Sequence, residues 1–223
     1  RMTGTFYGVS VGPGDPELLT LQAVRLLRQC PVLAAPQTAS GQMLALDIAR
    51  RALGSELDGK IILPLQFAMS RDAAVRPFLD AGQDVAMLNL GDVSIYATFG
   101  YLQEILQAQG YATAMAAGVP SFCAAAARLN QPLTGGMDAP LTIAPGSRSD
   151  EVLDAPGTKV LMKTGRQLPA LLDTLDAHGA LSRSALVCSC GLPDETIFPD
   201  LSTARPPQDG SKAGYFATVL VKE

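Results

Sequence analysis

The sequence predicts an α/β protein of two lobes, a parallel α/β lobe over residues 1–117 and a mixed-sheet α/β lobe over residues 118–223. First, short apolar runs alternate with segments of 3.6-residue apolar period as far as Gly110. That alternation builds parallel sheets, because a crossover helix returns the chain to the same end of the sheet. Second, glycine turns stand where strands should end, at Gly12-Pro13-Gly14, Gly91-Asp92 and Gly118-Val119-Pro120. Third, after Gly135-Gly136 the texture changes to short strands between turn-rich segments, with one clear helix. The 223 residues are 48% hydrophobic and 17% charged, enough apolar material for a core and too little charge for disorder.

Phe6–Val11 reads as the first strand. Asp15 is placed as an N-cap and Pro16 as the first helical residue. Leu18, Leu19, Leu21, Val24 and Leu27 then form an apolar stripe to about Gln29. Pro31–Ala35 is a second strand, Gln42–Leu53 a helix stopped by Gly54, and Lys60–Leu65 a strand carrying a proline. Met69-Ser70-Arg71-Asp72 opens a short helix that must end by Gly82 and holds Pro77, an awkward residue in a helix interior. Val85–Leu90 has the apolar texture of a buried strand. Its break at Gly91-Asp92 places backbone N–H groups and a carboxylate at the carboxyl edge of the sheet, where open α/β sheets bind ligands. A helix over Thr98–Gln109, a strand over Tyr111–Ala116 and a small-residue helix over Phe122–Leu129 follow. The second lobe offers strands at Leu141–Ala144, Lys159–Lys163, Ala185–Ser189 and Ala217–Val221, and a helix at Leu168–Ala177.

Several function classes are disfavoured. A net charge of −4 argues against nucleic acid, which selects basic faces. No apolar run approaches the ~18 residues of a membrane span. The N-terminus lacks a basic region followed by a long apolar segment, so no signal peptide and a cytoplasmic protein are expected. Cys30, Cys123, Cys188 and Cys190 lack zinc-site spacing, and no metal is expected. His178 is the only histidine, which nearly excludes a Ser-His-Asp triad. The spacing Gly8-x₃-Gly12-x-Gly14 departs from G-x-G-x-x-G, against a nicotinamide-dependent oxidoreductase.

Val11-Gly12-Pro13-Gly14-Asp15-Pro16-Glu17-Leu18-Leu19-Thr20, Leu90-Gly91-Asp92-Val93-Ser94-Ile95-Tyr96, Gly118-Val119-Pro120-Ser121-Phe122 and Leu161-Met162-Lys163 resemble, in that order, the signatures of the tetrapyrrole methylases. These are S-adenosylmethionine-dependent methyltransferases. Leu65…Met69-Ser70, Tyr96-x-Thr98-Phe99 and the ending Tyr215-Phe216-Ala217-Thr218 are most similar to members that methylate carbon 20 of precorrin-2 or cobalt-factor II in cobalamin biosynthesis. Rival readings are a methylase acting on uroporphyrinogen III or a later precorrin, and a non-catalytic nucleotide-binding module. There are departures. Ala116-Ala117-Gly118 stands where the family has Val-Pro-Gly, and Met69 to Gly91 is shorter by about one helix. The joint is expected near Val75-Arg76, with an omitted segment favoured over a lost surface helix.

The resemblance implies that adenosylmethionine lies folded between the lobes and leaves as adenosylhomocysteine. It puts Pro13 under the cofactor, with Leu90, Gly91, Asp92 and Ile95 holding its amino-acid part and ribose. Pro120 and Ser121 line the opposite side. Met162 packs near the adenine, and Cys190, Gly191 and Ala217 complete the adenine slot. The sulfonium methyl is already electrophilic, so catalysis rests on alignment and exclusion of water. Asp15, Asp92, Tyr96 and Glu104 are candidates for taking the proton that the methylated carbon loses. The acceptor is an anionic tetrapyrrole, and Arg71, Arg128, Arg148, Lys163 and Arg166 are candidates for its carboxylates, Arg71 first among them. A homodimer is implied as well.

Overall fold

The computed structural model describes residues 3–66, 71–203, 206 and 216–223, with the backbone alone at Arg71 and Arg166. Two compact units divide the chain, Arg1–Pro120 and Ser121–Glu223. Met69, Ser70 and Tyr215, which carry part of the family resemblance, lie outside the described residues.

The first unit is built on a five-stranded sheet of β1 (Phe6–Ser10), β2 (Val32–Pro36), β3 (Ile61–Leu65), β4 (Val85–Asn89) and β5 (Thr113–Ala116). The order is β3-β2-β4-β1-β5, with every pairing parallel. Parallel strands are covered on both faces, so the central β4 has all five residues buried. Pro64 falls on the edge strand β3, where a missing N–H is tolerated. The helices are α1 (Leu21–Gln29), α2 (Leu44–Leu53), α3 (Arg71–Asp80) and α4 (Phe99–Ala108). Phe6, Val75, Leu79, Met87, Phe99 and Leu106 join one core cluster. The rings of Phe6 and Phe99 stack at 5.2 Å. Gly8 makes that possible: a Cβ there would stand 2.7 Å from Val93 Cγ2 and 2.9 Å from the Phe99 ring.

Two elements differ from expectation. The stripe from Leu18 to Gln29 is not one helix. Asp15 caps a 3₁₀ turn at Pro16–Leu18, the chain extends at Leu19, and Thr20 caps α1 afresh by accepting from the Ala23 N–H. Leu21 is consequently 88% exposed, and Ala23, Leu26 and Leu27 make the buried face. The expected joint near Val75-Arg76 lies inside α3, which runs unbroken through Pro77 with Val75 and Leu79 buried.

The second unit holds α5 (Ser121–Arg128), β6 (Leu141–Pro145), α6 (Ser149–Val152), β7 (Thr158–Met162), α7 (Leu168–Ala177), β8 (Ser184–Cys188), β9 (Thr196–Phe198) and β10 (Ala217–Val221). Its sheet order is β6-β7-β10-β8-β9, with only β6–β7 parallel. Leu168, Leu171, Leu172 and Leu175 of α7 pack with Leu161, Leu186 and Val219 of the sheet. The short α6 and β9 have no counterpart in the sequence reading.

Candidate functional site

In the first unit three neighbouring strands, β4, β1 and β5, end at one sheet edge, and the loops that follow them are stitched together. Gly12 and Gly91 form an isolated bridge, with the Gly91 N–H donating to the Gly12 carbonyl at 2.9 Å. Ser10, fully buried, donates its hydroxyl to the Ala116 carbonyl at 2.7 Å and accepts from the Val93 N–H at 2.9 Å. Thr20 donates to the Ala117 carbonyl at 3.3 Å, and Arg51 of α2 reaches the Gly14 carbonyl at 3.2 Å. A Cβ on Gly118 would lie 2.2 Å from Ser10 Cβ, so only glycine lets the β5 loop come this close.

Asp92 is the hinge of this arrangement. One carboxylate oxygen accepts from the Ser94 N–H at 2.8 Å and from the Ser94 hydroxyl, and the other accepts from the Gly118 N–H at 2.7 Å. Burial alone would raise its pKa, but the bonds from the Ser94 hydroxyl, the Gly118 N–H and the Ser94 N–H outweigh it and hold the group below the ordinary aspartate value. Asp92 therefore fixes the loop from within, while the oxygen that takes the Gly118 N–H retains acceptor capacity for a ligand. Pro13 and Gly91 are buried, and Leu90 and Ile95 are half-buried in the same loops. Tyr96 follows with φ of 50°, a left-handed backbone that costs a non-glycine residue about 1–2 kcal/mol.

The second unit gathers its predicted residues at one edge as well. β10 runs antiparallel to β7 and β8, so its first residue, Ala217, meets the carboxyl ends of both. Ala217 pairs with Cys188, and its carbonyl accepts from the buried Thr164 hydroxyl at 3.5 Å. Lys163, just after Met162, and Ser189, just before Cys190, both have φ of 51°. Ser121, at the start of α5, shares a hydrogen bond of 3.2 Å with Thr218. The turn beyond β8 is secured by acids. Asp194 takes the Ser189 hydroxyl at 3.1 Å, and Glu195 takes the Gly191 N–H at 2.6 Å. Burial pushes the Cys190 thiol up to about 11, with Glu195 adding to the rise.

The remaining candidates divide. Asp15 caps the 3₁₀ turn through the Glu17 N–H at 3.0 Å and so sits in the β1 loop. Glu104 lies on the exposed face of α4 with Tyr101, 75% exposed, and Ile105, 44% exposed. Arg128, expected at substrate carboxylates, is in an ion pair of 3.0 Å with Glu195, because the end of α5 faces the β8 turn. Arg148 pairs with Glu151 one helical turn away. Lys163 is exposed at the edge of the second sheet. The side chains of Arg71 and Arg166 lie outside the described residues. Ser10, Thr20, Thr164, Thr218 and Glu195 are the site-shaping residues that sequence reasoning missed. Among the described residues, no group of three or more His, Cys, Asp or Glu side chains is placed to hold a metal ion, and no helix is long and apolar enough to cross a membrane.

Comparison with known proteins adds four findings. The family profile described as Tetrapyrrole (Corrin/Porphyrin) Methylases matches residues 5–204. The chain is 34% identical over 174 residues to the probable cobalt-precorrin-2 C(20)-methyltransferase of Methanocaldococcus jannaschii, covering 74% of each chain. It is 29% identical over 238 residues to the cobalt-precorrin-2 C(20)-methyltransferase of Salmonella typhimurium, covering 100% of this chain and 98% of the relative. Among solved structures, the uroporphyrin-III C-methyltransferase of Thermus thermophilus complexed with S-adenosylhomocysteine superposes with a TM-score of 0.69 at 22% identity, over 99% of this chain and 98% of that one.

Proposed function

We propose that this chain, which belongs to the tetrapyrrole methylases, transfers a methyl group from S-adenosylmethionine to carbon 20 of precorrin-2 or its cobalt-containing counterpart. The observation that carries the reading is the end-to-end match to a relative of that name, covering 100% of this chain. The local geometry supports it, since the matching segments are the ones that fold into stitched loops at the two sheet edges. Bound adenosylmethionine supplies an electrophilic methyl on a sulfonium centre.

The residues of the chain bind and orient. The loop of Leu90, Gly91, Asp92 and Ile95, with Pro13, takes the amino-acid and ribose portions, and Pro120 and Ser121 line the other side. Gly91 and Gly118 bring backbone close to a ligand without a side chain in the way. Met162, Cys190, Gly191 and Ala217 offer an apolar surface to the adenine, with the adaptable thioether of Met162 suited to a flat ring. Lys163 meets an acceptor carboxylate. Asp92, held at low pKa, is a weak proton acceptor, so its part is anchoring rather than base catalysis. Asp15 and Tyr96, in the loops after β1 and β4, are the better placed of the acid–base candidates. The family resemblance further supports a cytoplasmic homodimer, which light scattering of the purified protein checks.

The decisive experiment incubates the protein with adenosylmethionine and each acceptor, metal-free and cobalt-bearing. One added methyl by mass, located at carbon 20 by NMR, is the expected result. A methyl at another ring position would replace the reading with that of a different tetrapyrrole methylase.

A further inference from the structure

We infer that Arg128 and Glu195 form a positioning pair that sets the Cys190-Gly191 turn, so that Arg128 acts on the cofactor side of the reaction through Glu195 rather than on the acceptor. This rests on the reading of Cys190 and Gly191 as part of the adenine slot.

The turn that leaves β8 is conformationally demanding. Ser189 has φ of 51° and Gly191 φ of 77°, two left-handed residues on either side of buried Cys190. Such a backbone persists only where its surroundings over-determine it. Here the Ser189 N–H donates to the Phe216 carbonyl at 3.1 Å, and the Leu192 N–H to the Ser189 carbonyl at 2.9 Å. Glu195 adds the contact that aims Gly191. The same oxygen, Oε2, accepts from the Gly191 N–H at 2.6 Å and from Arg128 Nε at 3.0 Å. A carboxylate bonded to a backbone N–H makes a strong, charge-assisted bond, and the guanidinium keeps that carboxylate ionised and in place. Arg128 is the last residue of α5, and Ser121, the first, bonds Thr218 of β10 at 3.2 Å. The helix is therefore fastened at both ends to segments that hold predicted adenine contacts.

Calorimetry with adenosylhomocysteine and steady-state kinetics on the full chain test the pair. Glu195→Ala and Arg128→Ala should each weaken adenosylhomocysteine binding by about tenfold, the worth of a lost charge-assisted bond. Arg128→Ala combined with Glu195→Ala should be little worse than either alone, and the KM for precorrin-2 should not move. Arg128→Lys should recover part of the affinity, and Glu195→Gln, which keeps an acceptor for Gly191, should fall between wild type and Glu195→Ala. A raised KM for precorrin-2 in Arg128→Ala with unchanged adenosylhomocysteine affinity would overturn the inference, as would additive losses. If the wild-type chain itself fails to bind adenosylhomocysteine, the site assignment falls. If it binds and the variants bind equally well, only the positioning role falls.

Discussion

Asp92 shows how one side chain serves both fold and site. Its carboxylate closes the turn at Ser94 and draws in the Gly118 N–H, so the β4 and β5 loops share one anion. Asp92→Asn keeps one acceptor but sets an amide donor against a backbone donor. The expected cost is about 1–3 kcal/mol, toward the lower end because the group is only half-buried. The pH dependence has a definite sign. The folded-state pKa lies below the ordinary 3.8, so the contribution is present above that value and is lost as pH falls through the folded pKa. Urea melts of wild type and Asp92→Asn should differ at neutral pH, and the gap should begin to close as the pH drops below 3.8 and vanish once it has passed the folded-state pKa. A gap that persists undiminished in acid would show that the charge is not what matters. Cysteine behaves in the opposite sense. Burial pushes Cys30 up to about 12 and Cys190 up to about 11 and raises Cys123 as well, but Cys123 alone of the four cysteines is exposed, on α5, and open to a reagent. A thiol reagent near neutral pH should therefore modify one site rapidly, and Cys123→Ser should abolish that fast phase.

Elements were legible where one environment governs the whole run. Val85–Asn89 is wholly buried, and its apolar texture announced it as a buried strand. Leu168–Ala177 has a one-sided leucine stripe and came out with the bounds expected. The first helix was misjudged because Asp15 and Thr20 are both good caps, and apolar periodicity does not register a break of one turn. β9 has three residues and little burial, so no pattern marks it. The site was legible in its glycines and Asp92 but not in the bonds that hold them. Ser10 joins partners 83 and 106 positions away, a relation that no local motif encodes. Glu195 likewise acquires meaning only when α5 and the β8 turn meet. The helix α3 offers a test at this scale. Pro77 lies exposed in its interior, where its ring replaces an N–H that would bond the Ala73 carbonyl. Pro77→Ala should stabilise the protein by about 1–3 kcal/mol, read as a raised denaturation midpoint without change in slope. No stabilisation would mean that the proline is offset by its effect on the unfolded chain.

At the scale of the whole molecule, each unit places its predicted cofactor residues at one sheet edge. In the parallel sheet this follows from topology, because every strand runs the same way and all carboxyl ends meet on one side. In the mixed sheet it follows from β10, whose reversed direction brings Ala217 beside the ends of β7 and β8. A ligand that engages folded loops and has no affinity for the unfolded chain must stabilise the native state by mass action. At a hundredfold excess over Kd, adenosylhomocysteine should contribute about 2.7 kcal/mol. For a chain of 223 residues that corresponds to a rise in Tm of roughly 5–10 °C. NAD, which the glycine spacing disfavours, should leave Tm unchanged at the same concentration. Asp92→Ala and Glu195→Ala alter opposite units, so each should diminish the adenosylhomocysteine shift while retaining a cooperative melt. Loss of the shift in only one of them would assign the ligand to that unit alone. An equal shift in wild type and both variants would move the cofactor away from these loops, whatever reaction the protein performs.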